Sequence, residues 1–214
     1  MRTAFIRRWM LAVTACEAVG FMIPAAVGGF LALAAVQGWG VYPVMVVAGA
    51  CEGALLGLGQ SIGFGPLVVP RPVWVAATAV GAAVAWAIGM LPSTIAGFDL
   101  GNLWITPEVV VGAVLLLVSI PTLQWLVLRR VVRKSLQWIP INAGAWAIGI
   151  LWTLAPSPFI DEMTPAPVLF ASYALAGIFM AVTVAALTGL AAQRIALAAN
   201  GQGDAGSHAP SAAW

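Results

Sequence analysis

Charge is what this sequence has least of. Only 7% of its 214 residues are Asp, Glu, Lys or Arg, against about 25% in an ordinary soluble domain. With 62% hydrophobic residues the chain cannot cover a water-facing surface. That excludes a soluble globular protein and leaves one solvated by lipid. There is a single lysine, Lys134, and a single histidine, His208, near the C-terminus. No apolar segment therefore holds an imidazole to serve as base or metal ligand. The two cysteines, Cys16 and Cys51, give no disulfide framework. Their expected depths differ by more than a disulfide spans. No hydrophilic stretch is long enough to fold alone, so one domain is expected. The richness in Ala, Gly, Val and Trp beside the lone lysine reads as a GC-rich bacterial genome.

What the chain does have is long apolar runs. Six lie near residues 9–34, 42–66, 73–90, 108–128, 135–154 and 167–197. A hydrocarbon core of about 30 Å needs about 20 apolar residues in a helix. The fold class is thus all-α, a polytopic membrane protein of six transmembrane helices paired as three hairpins. The transmembrane domain covers 1–197, and a Gly/Ala/Ser-rich tail, 198–214, is expected to be disordered. Thr106, Pro107 and Glu108 read as cap, first-position proline and first-turn acid of the fourth helix.

The few charges set the orientation. Arg2, Arg7, Arg8, Arg71, Arg129, Arg130, Arg133, Lys134 and Arg194 all fall on one side of this threading. Asp99, Glu108, Asp161 and Glu162 fall on the other. The positive-inside rule then places both termini in the cytoplasm of a bacterial inner membrane. A cleaved signal peptide ending near Ala34 is the rival reading of the first run. Its apolar stretch is too long for the usual 7–15 residues.

One stretch organises the rest. Gly49, Gly53, Gly57, Ser61 and Gly65 recur at every fourth position, a bare stripe along a helix. Such a stripe admits another helix to backbone contact. Shorter stripes are Cys16-Gly20-Pro24-Gly28, Gly81-Ala85-Gly89 and Ala145-Gly149-Thr153. Pro24 and Pro121 each remove one backbone hydrogen bond inside a run.

The chain also echoes itself. Gln60 and Gln124, Trp74 and Trp138, and Thr78 and Asn142 share one interval. The pentapeptide Ala-Trp-Ala-Ile-Gly occurs at 85–89 and 145–149, four residues out of that register. The implied unit is a hairpin with a Gln late in one helix and a Trp opening the next, repeated in parallel. In this the sequence over residues 50–160 resembles a group of multi-pass bacterial membrane proteins built from Gln/Trp hairpins. The resemblance implies architecture and carries no activity onto any residue.

Polar side chains mark a layer. From helical rise, Glu17 lies roughly 7 Å to the cytoplasmic side of mid-membrane. Gln60, Thr78 and Gln124 lie roughly 9 Å to that side, and Asn142 about 5 Å. Glu52 lies near the midplane, and Gln60 is the expected partner of Glu17. Amides and hydroxyls often only join membrane helices. A carboxylate in such a run is costly and is by default a functional candidate. The candidate site for a solute, ion or proton is therefore Glu17, Glu52, Gln60, Thr78, Gln124 and Asn142.

Other chemistry finds no support. Gly59-Gln60-Ser61-Ile62-Gly63 matches G-x-S-x-G, but that motif needs a strand-to-helix elbow or, in rhomboid proteases, a histidine from another helix. Ser61 belongs to the small stripe. No metal site, cofactor, enzymatic activity or nucleic-acid surface is expected, and the basic turn at 129–134 suits anionic lipid. Expected partners are the lipid bilayer, a small solute or proton, and either a membrane-protein partner or further copies of the chain. A non-catalytic membrane subunit or assembly factor is the alternative function.

Overall fold

A computed structural model describes residues 2–65, 69–95, 106–133, 135–161 and 163–207. Asp99, Trp104, Lys134, Glu162 and His208 lie outside these residues, as do 208–214. Every long element is a helix: α1 (Arg2–Leu33), α2 (Tyr42–Phe64), α3 (Arg71–Thr94), α4 (Pro107–Leu128), α5 (Trp138–Leu154) and α6 (Ala166–Ser207). No strand occurs among the described residues. All six helices are long and apolar enough to cross a membrane, the pattern of a multi-pass membrane protein. Their outward faces carry Leu11, Phe30, Val47, Leu115, Leu151 and Leu190, all well exposed. Lipid would cover such a surface.

The helix ends follow local chemistry. α1 starts seven residues earlier than the apolar run, because 2–8 contain no Gly or Pro to stop it. Pro24 and Pro121 are carried inside continuous helices. Pro92, two residues beyond the third apolar run, also lies inside α3. The hydroxyls of Ser93 and Thr94 donate to the Met90 carbonyl at 3.0 and 2.7 Å, which closes that last turn. Thr106 caps α4 as expected, its Oγ1 accepting from the Val109 amide. Arg8 donates to the Gly63 carbonyl through Nε (3.1 Å) and Nη2 (3.0 Å). It thereby satisfies a carbonyl that the end of α2 would leave unpaired.

Each helix packs against the next in the chain, and α6 returns to α1, closing a ring. Small residues set the close approaches. At Gly53 a Cβ would collide with Ala82 and lie 2.9 Å from the Thr78 carbonyl oxygen. At Gly49 it would enter the Trp86 ring. Gly57 meets Thr78 and Val75, so the long stripe of α2 receives α3. A second glycine face of α2 receives α1, with Gly59 against the Ala12 carbonyl and Gly63 against Trp9. Gly81 lies against the backbone of Ile120 in α4, Gly149 against Val184 in α6, and Gly177 against Phe21 in α1.

The starts of α1, α3 and α5 meet at one end of the ring. Trp9, Trp74 and Trp138 are fully buried there. Trp9 and Trp138 lie 6.3 Å apart between ring centroids, and Trp74 and Trp138 6.1 Å. Phe64, from the end of α2, packs edge-on against Trp9 (4.9 Å) and Trp74 (5.4 Å). A tryptophan near a helix end suggests an interfacial anchor. Trp9, Trp74 and Trp138 depart from that rule: they point inward and plug the ring. Trp39 remains outside, 64% exposed.

Candidate functional site: a carboxylate-bearing cavity above an amide layer

Directly against the aromatic plug lies a hydrogen-bonded layer. The Trp74 indole donates to Gln60 Oε1 at 3.2 Å, and the Trp138 indole donates to Gln124 Oε1 at 2.9 Å. The same bond thus joins α2 to α3 and α4 to α5. Gln124 also donates to Gln60 Oε1 at 2.6 Å and to Thr78 Oγ1 at 2.9 Å. Asn142 donates to Gln124 Oε1 at 3.2 Å. Gln124 is therefore saturated, with two bonds given and two received. Gln60, Thr78, Gln124 and Asn142 are all fully buried. The structure brings these four sequence candidates into one contact network.

Gln60 is not the partner of Glu17, and the sequence expectation is corrected here. Its carbonyl oxygen is taken by Trp74 and Gln124, from α3 and α4. The Gln60 amide nitrogen, both Glu17 carboxyl oxygens and the Asn142 carbonyl oxygen have no hydrogen-bond partner among the described residues. The sequence placed Glu17 and Gln60 at one level. Level alone could not reveal that an indole and a second glutamine take the same amide oxygen.

The series of Gln60 and Gln124 has a third position that the sequence reading missed. Thr188 of α6 stands at the Gln60–Gln124 interval beyond Gln124, fully buried, its hydroxyl bonded to the Val184 carbonyl at 2.6 Å. Beside it the Trp9 indole donates to the Ala185 carbonyl at 3.1 Å. A threonine in place of a glutamine hides the periodicity, although the spacing was there to be found.

On the other side of this layer the ring encloses a cavity of about 380 Å³, lined from all six helices. Glu17 of α1 and Glu52 of α2 are its only charged lining residues among those described. Glu17 is fully buried, and Glu52 is 7% exposed. Gly20 explains how the two come near each other. A Cβ there would lie 3.2 Å from the Glu52 carbonyl oxygen, so α1 passes Glu52 one turn from Glu17. The Glu52 carboxyl accepts from the Trp86 indole at 2.8 Å. Trp86 can reach it because Gly49 leaves room for the ring.

Trp146 of α5 also lines the cavity, and its buried indole N–H has no partner among the described residues. Trp86 and Trp146 are the tryptophans of the two Ala-Trp-Ala-Ile-Gly copies. The sequence displayed them as a repeat without showing what they face. Trp86 lies about 18 Å along its helix from Trp74, and Trp146 about 12 Å from Trp138. The register offset thus sets the indoles at two depths. The lining extends to Met90 and Thr153, near the C-terminal ends of α3 and α5 and away from the plug.

Ser61, the serine of the G-x-S-x-G match, is buried and donates to the Leu58 carbonyl one turn back at 2.8 Å. No group of three or more His, Cys, Asp or Glu side chains is gathered among the described residues. Comparison with protein-family models, with curated proteins and with solved structures returns no match.

Proposed function

We propose that this chain is a bacterial inner-membrane protein that binds or transports a small solute, ion or proton through the Glu17–Glu52 cavity. Its six spans form three in-and-out hairpins, with both termini and the arginines on the cytoplasmic face. One unit recurs around the ring, a Gln- or Thr-bearing helix beside a Trp-bearing helix: α2 with α3, α4 with α5, and α6 with α1. The plug of Trp9, Phe64, Trp74 and Trp138 and the amide layer close the cavity toward the cytoplasm. Solute therefore enters from the opposite end, past Thr153 and Met90.

The observation that carries this reading is Glu17. A fully buried carboxyl with both oxygens unpartnered among the described residues lines a cavity large enough to hold a ligand. An acid so placed costs stability unless something else uses it. Gln60, Thr78, Gln124 and Asn142 serve mainly as the floor, since their bonds are largely spent on one another. The subunit or assembly-factor reading loses its motive, because the small-residue stripes are filled by the chain's own helices.

The test is genetic. A deletion strain is screened across a panel of solutes and pH values, and its phenotype is complemented with wild type or with the Glu17→Gln/Glu52→Gln double variant. The wild-type gene restores growth and the double variant does not. A double variant that complements as well as wild type contradicts the proposal.

A further inference from the structure

We infer that the cavity takes a primary organic ammonium ion with an apolar body. This rests on the cavity being the solute site and names the class of solute. Among the described residues the lining has two carboxyls and no cationic side chain, so an anion would be repelled by both acids. A bare metal ion fits poorly. Ca²⁺ takes six to eight oxygen ligands and Mg²⁺ near-ideal octahedral geometry. Besides Glu17 and Glu52, Thr153 is the only other oxygen-bearing side chain of the lining among the described residues. A proton alone would need no chamber of about 380 Å³.

An ammonium head matches the two acids. It has three N–H donors and no acceptor. The two unpartnered Glu17 oxygens are acceptors without donors. Glu52 stands within the same chamber, held by Trp86 through one oxygen, which leaves the other for the head. Trp86 is bonded to Glu52 and Trp146 lines the same chamber, and an indole face attracts a cation within about 6 Å. Beyond the acids the wall is Phe21, Leu116, Ile120, Ile150 and Met180, which solvates a hydrocarbon or aromatic body. The volume lies near the lower end of ligand pockets, about 300–1,000 Å³, so the ligand is small.

The experiment is isothermal titration calorimetry on the full chain in nanodiscs of zwitterionic lipid, with empty nanodiscs subtracted. Three probes of similar shape are compared: phenethylammonium, 2-phenylethanol and 3-phenylpropanoate. Saturable binding is expected for the ammonium alone. Glu17→Gln, nearly isosteric, should weaken it about tenfold or more, as expected for loss of a charged hydrogen-bond acceptor. Glu17→Asp should retain the preference for the ammonium. Equal binding of the alcohol would overturn the ammonium class while leaving the cavity as a solute site. Ammonium binding that survives the double Glu→Gln change would overturn it too. No binding by any probe would also overturn it, and the complementation experiment then decides the broader reading separately.

Discussion

Gln124→Leu is the most informative single change to the amide layer. Gln124 makes four side-chain hydrogen bonds, to Gln60, Thr78, Trp138 and Asn142. Side-chain bonds between membrane helices contribute about 0.6 kcal/mol each on average. Four of them give roughly 2.4 kcal/mol. Leucine also leaves the Trp138 indole N–H and the Asn142 amide without an acceptor, at about 1–3 kcal/mol for a buried orphan. Better apolar packing offsets part of this, so a net loss of about 2–4 kcal/mol is expected. Gln60→Leu, at the corresponding position of the preceding hairpin, should cost less. Gln60 only accepts two bonds, and its amide nitrogen is a buried group unpaired among the described residues that leucine removes, although the Trp74 indole N–H loses its acceptor. Its expected cost is about 1–2 kcal/mol. Unfolding free energies measured in bicelles give both values. Equal costs, or a Gln124→Leu protein as stable as wild type, would refute the assignment of Gln124 as the hub.

Three further outcomes follow from the packing. Gly53→Ala forces the backbones of α2 and α3 apart and should destabilise by about 1–3 kcal/mol, whereas Gly144→Ala meets open space and should stabilise α5 by up to about 1 kcal/mol. Thermal melts of the two variants should move in opposite directions. Thr106→Ala removes a cap whose bond is 3.5 Å long, so a loss near the low end of capping values, about 0.5 kcal/mol, is expected in the same melts. Reporter fusions at either terminus should give cytoplasmic signals, and a periplasmic signal from one of them would undo the three-hairpin threading.

The sequence made the helices legible because lipid imposes one strong rule, about 20 apolar residues per span. It made the Gly49–Gly53–Gly57 contact legible for a similar reason, since a stripe without side chains has few uses other than close packing. Depth was readable from helical rise, and the layer of Gln60, Thr78, Gln124 and Asn142 is gathered in space. Direction around each helix was not readable. In a membrane both the lipid face and the core are apolar, so periodicity hardly distinguishes them. Trp9, Trp74 and Trp138 therefore looked like interfacial anchors while they form the plug. The same blindness hid Trp86 and Trp146, whose neighbours on every side are Ala, Gly and Val. Glu17 was found for the opposite reason, because an acid has no bland role in an apolar helix.

The most direct measurement is thiol accessibility at Ile150, a wall residue one turn deeper than Thr153. Ile150→Cys would be placed in a Cys16→Ala/Cys51→Ala background. A membrane-impermeant maleimide is then applied to intact cells and, separately, to inverted vesicles. An acid-lined chamber sealed on the arginine side predicts labelling of intact cells and protection in inverted vesicles. Labelling from the cytoplasmic face only, or none from either face while Thr153→Cys reacts from outside, would contradict it.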